Sequence, residues 1–141
     1  MNKRGKVSSD IMRQMGDDLM TIYRQIVSKY DCKSQYDAYR MCVKQPAPRY
    51  YVSSEWAYRV LKPMCQGDHS VLSKMSDLKK QMYISLFQTA LKMTQQRNFC
   101  GKSLHYICQY AIMQPAPRFY IQPDRMAKIF KQKKGESYAR A

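Results

Sequence analysis

One seven-residue string occurs twice in this chain: Gln45-Pro46-Ala47-Pro48-Arg49-Tyr50-Tyr51 returns sixty-nine positions later as Gln114-Pro115-Ala116-Pro117-Arg118-Phe119-Tyr120. Two prolines flanking an alanine cannot continue a helix. Proline supplies no N–H and pushes the residue before it into extended geometry. The chain must therefore pass twice from a helix through an extended strap, and the repetition points to a tandem duplication.

The flanking residues extend the match. Tyr30 meets Phe99, Lys33-Ser34 meets Lys102-Ser103, Val52 meets Ile121, Glu55 meets Asp124, and Val60-Leu61 meets Ile129-Phe130. The first unit opens with Ser8 or Ser9 as a cap, followed by apolar residues at Ile11, Met15, Leu19, Ile22, Ile26 and Tyr30. Alternating steps of three and four predict a helix of about twenty residues. Ser34 caps a second helix to about Gln45, with Ala38, Tyr39 and Met41 or Cys42 inward. After the strap, Ser53 or Ser54 caps a third helix, with Trp56, Ala57, Val60, Leu61 and Met64 on one face.

The second unit repeats the plan. A long helix carries Val71, Met75, Leu78, Met82, Leu86, Ala90 and Met93 to about Arg97, with Ser76 able to restart it. A turn around Gly101 follows, and Ser103 caps a helix carrying Leu104, Ile107, Cys108, Ala111 and Ile112. Pro123 is suited to the first position of the last helix, where Met126, Ile129 and Phe130 face inward. The expected fold is all-α, about six helices as two tandem three-helix repeats with no strands. The expected divisions are a basic arm at 1–7, a first repeat at 8–65, a joint at 66–70, a second repeat at 71–132 and a basic tail at 133–141. The two repeats are expected to share one core.

Charge is the main guide to partners. Twenty-five Lys and Arg against ten Asp and Glu give a net charge of +15. That balance makes nucleic acid, DNA or RNA, the first expected partner, with an acidic protein behind it. No window is apolar enough to span a membrane, and five cysteines without a CxxC pair or a secretory leader fit a reduced cytoplasmic setting.

Catalytic patterns are not found. Neither His69 nor His105 has a nucleophile pattern around it, Asp17 and Asp18 point to different helix faces, and there is no Gly-rich phosphate loop. Cys65-x3-His69 and Cys100-x4-His105-x2-Cys108 match no familiar zinc spacing, and Cys108 falls on an inward face. The expectation is a non-enzyme without cofactor or metal.

Two features can carry binding. The helix, the Asp31–Lys33 turn and the next helix have the spacing of a helix-turn-helix. The groove-facing residues would then be Lys33, Gln35 and Arg40, with Lys44 near phosphate, and Lys102, Ser103, His105, Tyr106 and Gln109 in the second copy. The tail lysines Lys131, Lys133 and Lys134 would add phosphate contacts. The straps are the second feature, because Arg49 and Arg118 beside aromatics can bind phosphate or stack on bases.

A structural role for the straps is the stronger reading. Pro46, Pro48, Pro115 and Pro117 keep each strap out of both flanking helices, while Tyr50, Tyr51, Phe119 and Tyr120 plug the core. Glu55 and Asp124, each six residues after its arginine, are expected to clamp Arg49 and Arg118. The string Pro-Ala-Pro-Arg-Phe-Tyr followed by a Ser/Pro-Glu/Asp helix start resembles one in small uncharacterised helical proteins of gut bacteria and their phages. That resemblance covers about forty residues. It implies a phage or mobile-element setting, in host cytoplasm or virion, and brings no activity with it. The function expected is non-catalytic nucleic-acid binding through the phosphate backbone. The alternative is a protein–protein adaptor or phage structural component using a basic, Met- and Tyr-rich surface.

Overall fold

A computed structural model describes residues 9–140, with side chains described through Gln132. The helices are α1 (Ser9–Lys29), α2 (Gln35–Val43), α3 (Ser54–Cys65), α4 (Asp77–Thr94), α5 (Leu104–Ala111) and α6 (Pro123–Arg140), with a short 3-10 helix at Ser70–Lys74. Among the described residues there is no strand, so the protein is all-α. The arm at 1–7 lies outside the described residues.

Local chemistry explains most boundaries. Ser34, Ser53, Ser76 and Ser103 each sit in extended backbone and accept a hydrogen bond from the N–H three residues on, at Asp37, Trp56, Lys79 and Tyr106. Gly67, at φ 87°, stops α3. The Gly67 N–H donates to Met64 and the Asp68 N–H to Pro63, the paired closure that a left-handed glycine permits.

Three boundaries differ from expectation. The Ser70 helix does not run on, because Met75 is extended and Ser76 starts α4 afresh, which then ends at Thr94 rather than near Arg97. The second helix stops at Val43, two residues short of Gln45. The stretch expected as a basic tail continues α6 to Arg140.

The packing joins the two halves of the chain. α1 and α2 pack together and receive α6, whereas α4 and α5 pack together and receive α3. The helix that follows each strap thus packs on the pair of helices from the other half of the chain. The straps make the crossing, and they meet at its centre. Ala47 N–H donates to Ala116 O and Ala116 N–H to Ala47 O, both at 2.9 Å, forming an isolated antiparallel bridge. Tyr50 N–H donates to Ile112 O at 2.8 Å and Phe119 N–H to Val43 O at 3.0 Å. Each of these bonds maps onto its partner by the sixty-nine-residue shift, so the repetition in sequence is also one in contacts.

The rings obey the same rule. Tyr50 stacks on Tyr120 at 6.5 Å and Tyr51 on Phe119 at 5.7 Å, nearly parallel in both cases. Such pairs contribute on the order of 1 kcal/mol each beyond their burial. One continuous core results, containing Leu19, Cys42, Leu61, Leu86, Cys108 and Met126. Met126, Ile129 and Phe130 are buried as expected. Tyr30 is not: it is 52% exposed beyond the end of α1. Tyr83, fully buried, takes an inward place on α4 that the spacing gave to Met82.

Candidate functional site

The seam where the straps cross is also where cations collect. A cleft of about 210 Å³ opens beside it. Arg49, Lys79, Arg118 and Arg125 line it, together with the rings of Tyr50, Tyr51 and Tyr120. Its apolar wall is Met12, Met15, Met82 and Ile121. A second, more open cleft of about 280 Å³ is lined by Arg40, Lys44 and, again, Arg118, with Tyr36, Leu78 and Gln122 around them. Arg118 therefore joins the two. No carboxylate stands among the described residues lining either cleft.

The two strap arginines occupy different states. Arg49 is buried, the one buried charged side chain among those described. Its Nε donates to Tyr50 O at 3.0 Å, Nη1 to Gln14 Oε1 at 3.2 Å and Nη2 to Val52 O at 3.2 Å. Its guanidinium lies over the Tyr51 ring, whose hydroxyl donates to Asp18 Oδ2. Burial lowers the Arg49 pKa, and the Tyr51 and Asp18 charges oppose that effect. Burial also raises the Tyr51 pKa, reinforced by the bond to Asp18. Gln14 and Asp18, one helical turn apart on α1, thus hold this strap from the same face.

Arg118 is half-buried. Its Nε repeats the first copy's bond, donating to Phe119 O at 3.1 Å, and its guanidinium lies over Tyr120. Its terminal nitrogens have no partner among the described residues, and neither does the Tyr120 hydroxyl. The reason lies on α4. The buried positions Gly16, Leu19 and Ile26 of α1 correspond to Tyr83, Leu86 and Met93 of α4, sixty-seven positions on. By that register Ser85 stands where Asp18 stands, so the second copy lacks the acid. Ser85 and Thr89 accept or donate instead to the Tyr50 hydroxyl, at 2.7 and 3.2 Å.

The expected carboxylate clamps do not form. Arg49 turns inward to two carbonyls and Gln14, away from Glu55, and both Glu55 and Asp124 are exposed at the first turns of α3 and α6. There they serve the helix dipole rather than the arginines.

Of the residues expected to bind, the structure brings together Arg40, Lys44, Arg49 and Arg118. The others stand apart. Lys33 is exposed in the α1–α2 turn, and Gln35 borders a separate cleft near Tyr30 and Asp31. Lys102 lies over Tyr106, His105 packs edge-on to Tyr58, and Gln109 is exposed on α5. Lys131 is exposed on α6, while the side chains of Lys133 and Lys134 lie outside the described residues. α2 and α5 belong to different three-helix groups, and the clefts gather strap residues rather than the outward length of either helix.

Lys79 and Arg125 are the two cleft cations that the pattern did not single out. A signal for them exists. Both sit in the first turn of a helix, α4 and α6, where the dipole disfavours positive charge. Cations in that position do not stabilise their own helix through its dipole, which marks them out in the sequence.

The cysteines are all free thiols. Burial pushes Cys42 and Cys108 up to about 11, so neither is a nucleophile at neutral pH. Among the described residues no three His, Cys, Asp or Glu side chains gather as a metal site, and no helix is long and apolar enough to cross a membrane. Comparison with protein-family models, curated proteins and solved structures gives no match.

Proposed function

We propose that this protein binds nucleic acid without catalysis, holding phosphates in the two adjoining clefts at the strap seam. The observation that carries the reading is Arg118, shared by two clefts lined by six cations and no carboxylate among the described residues. Arg40 has an exposed partner in Asp37 at 3.9 Å, and the remaining positive charge gathered in the recess favours an anion there. A row of such sites suits a chain of phosphates better than a single carboxylate. Arg49 is excluded from direct contact by its burial, leaving Arg40, Lys44, Lys79, Arg118 and Arg125.

Five neutralised phosphates set the salt dependence. The slope of log affinity against log salt is expected at about −4.5 for duplex and about −3.5 for a single strand. Titration of a labelled oligonucleotide over a salt series measures it. A slope near zero, or no binding at low salt, sinks the proposal.

A second reading, a protein–protein adaptor, has its own observation. Phe99, Tyr106 and Tyr110 cluster on the surface with centroids 5.1 to 6.2 Å apart, beside Met113, which is 51% exposed. Exposed aromatics and Met in one patch are typical of an interface. A discrete oligomer in light scattering that Tyr110→Ser dissolves, with nucleic-acid affinity absent, would favour this reading.

A further inference from the structure

We infer that the smaller cleft receives one unstacked nucleotide of a single strand, its phosphate on Arg118 and its base on the methionine wall. The inference rests on the nucleic-acid reading above and narrows it. Three features of the cleft distinguish it from a plain phosphate track.

The first is size. About 210 Å³ is below the range of about 300–1,000 Å³ usual for drug-sized ligands, and suits a single ring system. The second is the mixed lining. A phosphate alone needs no apolar wall, yet Met12, Met82 and Ile121 line the cleft beside the cations, with Arg125 Nη2 4.0 Å from Met12 Sδ. Thioether side chains adapt to a flat heterocycle and make favourable contact with its ring. The seam rings are already stacked in pairs, so they wall the cleft and the methionines provide the bed.

The third is Arg118. Its Nε is fixed to Phe119 O and Tyr120 covers its guanidinium, while the two terminal nitrogens have no partner among the described residues. That geometry presents a fork to a phosphate, with Lys79 and Arg125 beside it. Bases in a duplex are stacked and cannot enter such a recess, whereas bases of a single strand turn out readily. The open cleft of Arg40 and Lys44 then takes the neighbouring phosphate, with Arg118 between the two.

The test compares one labelled mixed-sequence oligonucleotide as a single strand and as its own duplex, at equal salt. The single strand is expected to bind at least about tenfold tighter, the equivalent of one base contact. Met82→Gln should erase most of that preference while leaving duplex affinity within about twofold, and thermal melting of the variant confirms the fold. Met12, whose Sδ lies 4.0 Å from Arg125 Nη2, is left in place. Arg118→Gln should weaken both forms.

Equal affinity for the two forms, or a tighter duplex, overturns the inference. In that case a salt-dependent duplex complex leaves the broader reading standing, whereas binding of neither form removes both. Competition separates the sources of the nucleotide. If a nucleoside monophosphate displaces the strand as well as unlabelled strand does at equal nucleotide concentration, the cleft is a free-nucleotide site and the strand inference fails. Displacement by inorganic phosphate to the same extent denies the methionine wall any part and also overturns it.

Discussion

The two straps are nearly the same peptide, yet they are held differently. Strap one, Pro46–Val52, makes six hydrogen bonds through its side chains: three from Arg49, two at Tyr50 and one from Tyr51. Strap two, residues 115–121, makes one among the described residues, from Arg118 to its own neighbour. The backbone bonds that tie the straps to each other and to Ile112 and Val43 are matched. The difference comes from what faces each strap, from the Tyr50 hydroxyl that Phe119 lacks, and from the bonds Arg49 and the Val52 N–H make within strap one. α1 offers Gln14 and Asp18, while α4 offers Ser85 and Thr89, and both of these go to Tyr50. Of two near-identical peptides, one has its arginine hydrogen-bonded through all three nitrogens and anchored, and the other has an arginine whose terminal nitrogens lack a partner among the described residues. The first holds the seam, and the second is available to a ligand.

The largest effect expected on stability is at the anchored copy. Arg49→Ala removes three bonds from a buried site and should cost about 3 kcal/mol by denaturant unfolding. A cost below about 1 kcal/mol would break the contrast between the straps.

Tyr51→Phe strips Asp18 of its donor and should cost about 1–2 kcal/mol at neutral pH. It also changes the alkaline limb. Tyr51 has its pKa raised in the folded state, so its contribution is complete below the unfolded value of about 10 and is lost as pH rises above it. The variant should therefore lose stability less steeply above about pH 10, with Tyr39 and Tyr83, also raised, supplying the remaining slope. An unchanged alkaline slope would remove Tyr51 from the anchor.

Tyr50→Phe makes the two straps identical from Pro46 and Pro115 through the second aromatic. It should cost about 1 kcal/mol, the value of the lost bonds to Ser85 and Thr89. The smallest effect sharpens the comparison from the other side. Cys42 and Cys108 sit behind matching halves of the core and should be equally slow toward a thiol reagent in the native protein, while exposed Cys65 and Cys100 react first. Unequal protection of the buried pair would mean that one half is looser than its contacts imply.

Features set by near neighbours in the chain were legible in the sequence. Serines before apolar runs capped helices, proline pairs ended them, and the inward faces of α2, α3, α5 and α6 followed from spacing. The exchange of α3 and α6 was not legible, because a strap that returns to its own helices and one that crosses to the other pair have the same composition. The Arg49–Glu55 expectation failed for a related reason. Six residues of separation allow an ion pair but do not decide it, and Gln14 with the strap carbonyls, thirty-five and a few residues away, won the guanidinium. Of the cleft residues, Lys44 and Arg118 were anticipated as phosphate contacts and Arg40 as a groove contact. Lys79 and Arg125 were not, although cations in first helical turns were visible as an electrostatic anomaly.

The division of labour between the straps rests most directly on Arg118→Ala, read by two instruments on one sample: thermal melting and affinity for a labelled oligonucleotide at low salt. The account predicts a melting temperature shifted by no more than the few degrees that correspond to about 1 kcal/mol, and affinity per folded molecule reduced at least about tenfold. A large drop in melting temperature with affinity per folded molecule unchanged would contradict it, and would make both straps purely structural.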